Sequence, residues 1–201
     1  MNKHLAVSLV AAMAALLTLP GLAALKPGAQ APDFTANASQ AGKDFTFSLK
    51  QALAKGPVVV YFYPAAYTGG CDLEAHTFAT EKARFEAAGA TIIGVSADSI
   101  QRLNVFSSDP DFCAGKFPVA SDADGKIAAS YGLKLIPPQQ GLTDVRGQAI
   151  THGFIPRTTF VIAKDGKIIS ALSSDEDHIK PDEHVARALV QVQQMQAGKS
   201  P

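Results

Sequence analysis

Hydrophobic positions along the chain alternate between short continuous runs and helical spacings. Pro57-Val58-Val59-Val60-Tyr61-Phe62-Tyr63 is an unbroken β-branched and aromatic run, the pattern of a strand buried on both faces of a sheet, and it stops at Pro64. From Gly70 to Ala88 the pattern turns helical, with Leu73, Phe78 and Phe85 apolar among Asp72, Glu74, Glu81, Lys82, Arg84 and Glu86, and Gly89 is placed as a C-terminal cap. Ala90–Ser96 predicts a second buried strand, and Ser99 to about Phe106 an amphipathic helix stopped by Asp109-Pro110. Strand, helix, strand, helix implies a parallel crossover unit.

The remainder reads differently. Leu25–Gln40 is rich in Pro, Gly, Ala and Asn and reads as an extended lead-in, followed by a short strand over Phe45–Leu49. Phe117-Pro118-Val119 and the acidic turn Asp122-Ala123-Asp124-Gly125 lead to a short helix ending near Tyr131-Gly132; the turn lacks the later ligands of a calcium loop. Leu133–Ile155 carries Pro137, Pro138, Gly141, Gly147 and Gly153 and is a long irregular segment of the kind that carries function. Thr158–Ile162 and Ile168–Leu172 flank Lys164-Asp165-Gly166-Lys167, a hairpin signal. A last helix starts near Pro181 and lines up Val185, Leu189 and Val192. The expected architecture is α/β, a mixed central sheet flanked by helices, in one domain over residues 25–201.

Composition narrows the possibilities. The 201 residues carry 18 basic and 18 acidic side chains, so no net field favours nucleic acid. Met1–His4 is slightly positive, Leu5–Leu19 is apolar, and Gly21-Leu22-Ala23 offers small residues for a peptidase, which predicts a signal peptide over 1–24 and an exported, periplasmic chain. The apolar run is shorter than the roughly 20 residues of a spanning helix, so no stable membrane anchor is expected. Only two cysteines, Cys71 and Cys113, are present. On count alone, in an oxidising compartment, they read as a structural staple. The histidines show no zinc spacing and no nucleotide-binding glycine signature occurs, so neither metal nor cofactor is expected.

Cys71 falls where a buried strand has ended and a helix begins, near unpaired N–H groups and the positive end of the helix dipole, surroundings that favour thiolate. Gly69 and Gly70 remove bulk before it, and Thr68 offers a hydroxyl that donates and accepts. Each feature alone is common.

Taken together, Pro64-x-x-x-Thr68-x-x-Cys71 after an apolar strand resembles the active-site signature of the peroxiredoxins, which have a thioredoxin-like fold. Ala31-Pro32-Asp33-Phe34, Phe117-Pro118-Val119-Ala120-Ser121-Asp122 and Arg157-Thr158-Thr159-Phe160-Val161-Ile162 look like other segments of that family. The subgroup it is most similar to is the bacterioferritin comigratory protein, or PrxQ, type, whose last helix often opens with a pair like His184-Val185. The resemblance implies a thiol peroxidase acting on hydrogen peroxide or organic hydroperoxides. Cys71 would attack and become a sulfenic acid, Thr68 would bond the peroxide, Pro64 would shield the pocket, Arg157 would stabilise developing negative charge, and Glu74 would hold Arg157. Cys113 would resolve the sulfenic acid as a Cys71–Cys113 disulfide, recycled by a thioredoxin-like or other thiol reductant, in a monomer or dimer.

Three positions depart from the pattern. Gly69 stands where proline is frequent, Asp72 where a small hydroxyl residue is frequent, and His76 where many members carry the resolving cysteine. Two other readings remain: a thiol-disulfide oxidoreductase, which would normally need a Cys-x-x-Cys that is absent here, and a non-catalytic binding module stapled through its two cysteines.

Overall fold

A computed structural model describes residues 23–198. The apolar segment read as a signal peptide lies, but for its last two residues, outside them. Seven strands and six helices follow in the order β1 (Thr35–Gln40), β2 (Lys43–Ser48), α1 (Leu49–Leu53), β3 (Val58–Phe62), α2 (Gly69–Ala87), β4 (Thr91–Ser96), α3 (Ile100–Ser108), β5 (Val119–Ser121), α4 (Lys126–Ser130), β6 (Thr158–Ile162), β7 (Ile168–Ser173), α5 (Ser174–Asp177) and α6 (Pro181–Gln196). The strands form one mixed sheet in the order β2-β1-β5-β4-β3-β6-β7. β3 pairs in parallel with β4 and antiparallel with β6, as expected for a crossover unit joined to a hairpin.

Every residue of β3 is buried, which is why its sequence shows no polar alternation. Its period of two divides the core. Val59 and Tyr61 belong to a cluster shared with α2, α3 and α6, while Val58, Val60 and Phe62 belong to one on the opposite face with Leu49, Tyr131 and Phe160. Tyr61 stacks on Tyr63 and Phe78 at centroid separations of 5.3 and 4.6 Å, so aromatic side chains fill the layer beneath α2.

Two expectations need correction. The extended lead-in conceals β1, which forms an antiparallel hairpin with β2 and also pairs with β5. Its Thr-Ala-Asn-Ala-Ser-Gln sequence has little β propensity; Ala36 and Ala38 are small enough to sit under the sheet, and the strand is held by neighbours on both sides. Leu49 closes the short strand predicted over Phe45–Leu49 but is the first residue of α1, where the Ser48 hydroxyl accepts from the Gln51 N–H. On α2, Leu73 is 46% exposed while Asp72 and Glu74 are buried. This helix packs on both the sheet and α6, so its buried arc is wide and takes in positions 71, 74, 75 and 78.

Candidate active site

Thr68 is the N-cap of α2, with extended backbone, and Cys71 lies in the helix's first turn, 2% exposed. The Thr68 hydroxyl does not cap the helix; it donates to the Ala65 carbonyl at 2.8 Å. Arg157, just before β6, donates through Nη2 to Cys71 Sγ at 3.2 Å and through Nη1 to the Glu74 carboxylate. Glu74 is one turn beyond Cys71 on the same helix face, so a single guanidinium fork spans both. Gly70 makes room for it: a Cβ there would stand 3.1 Å from Arg157 Nη2 and 3.4 Å from Pro181 Cγ. Gly69 faces open space, with nothing within 4 Å of where a Cβ would stand. Pro64, two residues past the end of β3, is half-buried.

Burial is the largest influence on the Cys71 thiol and pushes its pKa up; Arg157 is the strongest influence pulling it down, and Glu74 works against it. The helix-start position alone therefore does not make a thiolate. The guanidinium supplies the opposing charge. Glu74, itself desolvated, is pushed up to about 7 despite Arg157. His184, in α6, is buried beside this group with Nδ1 bonded to Thr159 Oγ1 at 3.0 Å and Nε2 to Ser174 Oγ at 2.9 Å; burial first, then Arg157, push it down to about 4, so it packs as a neutral ring.

Cys113 lies in the turn after α3, five residues past the helix end. It is buried, and both cysteines are free thiols. No cation opposes its burial: desolvation raises its pKa well above the ordinary value, and Asp109 and Asp72 raise it further. Ala114, next to it, has φ +52°, a left-handed conformation uncommon for a residue with a Cβ. His76 donates through Nδ1 to the Asp111 carbonyl at 2.9 Å and ties α2 to this turn.

The structure adds residues that the sequence does not single out. Tyr67 has φ +62° and is fastened on several sides: the Arg146 guanidinium lies 3.2 Å from its ring centroid, its hydroxyl bonds Asp109, and its carbonyl accepts from the Val145 N–H at 2.9 Å. Asp144 takes both Arg102 and Arg146, so the long irregular segment is strapped to the loop before Cys71. Buried Asp98 and half-buried Arg102 and His152 form a group behind Ala66. The position of Asp98 at the carboxyl end of a parallel strand, where open α/β sheets place their sites, is the one signal that pointed there.

Residues 27–171 match the AhpC/TSA family. The peroxiredoxin Rv1608c of Mycobacterium tuberculosis is 34% identical over 150 residues, 75% of this chain and 86% of its own length. The crystal structure of peroxidoxin BcpB from the same organism superposes with a TM-score of 0.67 at 31% identity, covering 84% of this chain and 96% of the other. The bacterioferritin comigratory protein of Xanthomonas campestris superposes with a TM-score of 0.62 at 25% identity, covering 81% and 92%. With a mixed seven-stranded thioredoxin-like sheet and relatives of the bacterioferritin comigratory type, the chain belongs to the peroxiredoxin family and is a thiol-dependent peroxidase.

Proposed function

We propose that this chain reduces hydrogen peroxide and organic hydroperoxides through Cys71, with Cys113 as the resolving thiol. The observation that carries the reading is the Arg157 fork, one arm on Cys71 Sγ at 3.2 Å and the other on buried Glu74. The Cys71 thiolate attacks the hydroxyl-bearing oxygen of the peroxide. An S–O bond forms, the O–O bond breaks, and its electron pair leaves with the alkoxide or hydroxide, which takes up a proton; Cys71 is left as sulfenic acid. Arg157 opposes the negative charge as it moves from sulfur to the departing oxygen, Thr68 bonds the peroxide, Pro64 shields the pocket, and Glu74 fixes the guanidinium. Alkyl peroxide reduction is described for the related Xanthomonas campestris protein, which supports the organic substrate class.

The Cys113 thiol then attacks the sulfenic sulfur, releasing water and forming a Cys71–Cys113 disulfide. Two electrons and two protons from a thioredoxin-like or other dithiol return both cysteines to thiols. The buried sites of the two cysteines require the start of α2 and the turn at Cys113 to unwind first. The strained Ala114 and Tyr67 lower the cost of that opening. Residues 1–24 act as a signal peptide, residues 25–201 form the mature domain, and the enzyme works in the periplasm as a monomer or dimer.

One equivalent of hydrogen peroxide, followed by alkylation and peptide mass spectrometry, tests the cycle. The expected product is a Cys71–Cys113 disulfide in wild type and a Cys71 sulfenic acid in Cys113→Ser. Peroxide consumption that survives Cys71→Ser would sink the assignment, and a lasting Cys71 sulfenic acid beside a free Cys113 in wild type would sink the resolving role. Signal processing is tested by the N-terminal sequence of the protein recovered from a periplasmic extract; recovery of the uncut chain from the cytoplasm overturns it.

A further inference from the structure

Asp98 lies just past β4 with its side chain fully enclosed. It is surrounded by donors. Oδ2 accepts from the Ala66 N–H at 2.8 Å and the Ser96 hydroxyl at 2.7 Å, and Oδ1 accepts from His152 Nε2 at 2.9 Å and pairs with Arg102 Nε at 2.8 Å. His152 Nδ1 lies 2.8 Å from the Gly153 carbonyl, which can only accept; with an acceptor at each nitrogen the ring carries both hydrogens. Arg102 Nη2 also donates to the Ala66 carbonyl at 2.8 Å, so Ala66 is gripped on both sides.

The Ala66 N–H belongs to the same planar amide as the Ala65 carbonyl. A carboxylate on the N–H end draws the amide's charge separation further and makes its carbonyl a stronger acceptor. That carbonyl is the one receiving the Thr68 hydroxyl, at 2.8 Å. A hydroxyl has a single hydrogen and two lone pairs, so while Thr68 donates to Ala65 its oxygen can only accept on the side of Cys71.

Building on the peroxidase reading, we infer that Asp98 is a positioning residue for peroxide attack: through the Ala65–Ala66 peptide it commits the Thr68 hydrogen away from sulfur, leaving Thr68 Oγ1 to accept the peroxide O–H. Thr68 and Arg157 then have complementary tasks. Arg157 donates to the thiolate and to the departing oxygen, and Thr68 holds the hydroxyl-bearing oxygen over the sulfur that attacks it. The hydrogen stays on that oxygen and ends in the sulfenic acid, so this step transfers no proton to the protein.

The test is a double-mutant cycle on the second-order rate of Cys71 oxidation by hydrogen peroxide, measured by rapid quench and mass spectrometry. Urea midpoints and the pH profile of Cys71 alkylation by iodoacetamide are recorded for the same proteins. Thr68→Val should slow oxidation roughly a hundredfold, and Asp98→Asn about tenfold, the kinetic weight of one ordinary hydrogen bond. The double variant should be no slower than Thr68→Val alone, because the Asp98 effect passes through that hydroxyl. Thr68→Ser should restore both the rate and the sensitivity to Asp98→Asn.

The alkylation profile gives a signature that a merely structural role would not produce. In Asp98→Asn the freed Thr68 hydrogen turns to the thiolate, so alkylation should move to lower pH while peroxide oxidation slows. That shift should vanish in the Thr68→Val background; a purely through-space charge effect would persist there. Should Asp98→Asn fail to fold, His152→Gln removes the cationic donor from Asp98 at a partly exposed site, with an expected loss of roughly threefold that again disappears in Thr68→Val. Additive rate losses, or a lowered urea midpoint with unchanged rate and alkylation profile, overturn the inference while leaving the peroxidase reading intact. Wild-type Cys71 left unoxidised by peroxide overturns that reading, and this inference with it.

Discussion

Cys71 and Cys113 are both buried free thiols in one hydrophobic cluster, yet their electrostatic surroundings are opposite. Desolvation raises both. At Cys71 it is countered chiefly by Arg157, whereas at Cys113 it is reinforced by Asp109 and Asp72. Burial therefore does not decide which thiol reacts with peroxide; the charge that opposes burial does. The same contrast suits a sequence of roles in which one sulfur reacts from a finished pocket and the other waits for its turn to open.

The most severe way to break the contrast is to remove each sulfur. Cys71→Ser should abolish peroxide consumption, while Cys113→Ser should keep the first oxidation within about twofold of wild type, since the side chain takes no part in the bond-making step. Equal losses in the two variants would show that Cys113 shapes the pocket itself. Next in size, Arg157→Gln should lower the rate of Cys71 oxidation about a hundredfold, the usual cost of an absent charge-stabilising donor, and shift the pH profile of the rate upward. The sign follows from the raised thiol: removing the cation takes away the largest influence that opposes desolvation, so more alkaline solution is needed to form thiolate. An unchanged profile, followed by the pH dependence of alkylation, would mean that Arg157 only packs.

Glu74→Gln separates charge from position. Glutamine keeps a carbonyl to accept from the Arg157 fork but removes the negative charge that raises the Cys71 thiol. The profile should therefore shift downward, opposite to Arg157→Gln, with a rate change within roughly threefold near neutral pH. A downward shift larger than the upward one in Arg157→Gln would place the controlling charge on the carboxylate.

How much of this was legible in the sequence depends on how far apart the partners lie. Pro64, Thr68 and Cys71 sit within eight residues between a strand and a helix, so their convergence follows from local structure. Arg157 is 86 positions from Cys71 and came into view only through family resemblance; nothing local distinguishes it from a surface arginine. Asp98, Arg102, Asp144, Arg146 and His152 form one network, but they come from two separate stretches, 98–102 and 144–152, and charges outside a periodic pattern carry no signal of burial. β1 was hidden for a related reason: its place is decided by β2 and β5 rather than by its own propensities. Leu73 shows the converse, an apolar residue at helical spacing that falls outside the buried arc.

Asp72 touches both halves of the comparison at once. It follows Cys71 in the first turn of α2, is 8% exposed, and leaves Oδ1 without a hydrogen-bond partner, while its charge raises Cys113. Burial, with Asp109 and Asp144 adding to it and the Tyr67 backbone opposing, lifts its pKa from 3.8 to about 6. A carboxyl group whose folded pKa exceeds its unfolded one favours folding most when protonated, so its contribution is full below pH 3.8 and is lost as pH rises through about 6. Asp72→Asn, which cannot ionise, should therefore match wild type in urea unfolding at pH 3.5 and exceed it by on the order of 1 kcal/mol at pH 8. In the native state at pH 8 the loss of that charge should also quicken alkylation of Cys113 by about twofold or threefold, with the smaller effect at Cys71, where Arg157 dominates. A variant less stable than wild type at pH 8 would show instead that the carboxylate's bond to the Tyr67 backbone outweighs its desolvation. Asp72 would then be a strut of the strained loop before Cys71 rather than a buried charge held at a cost.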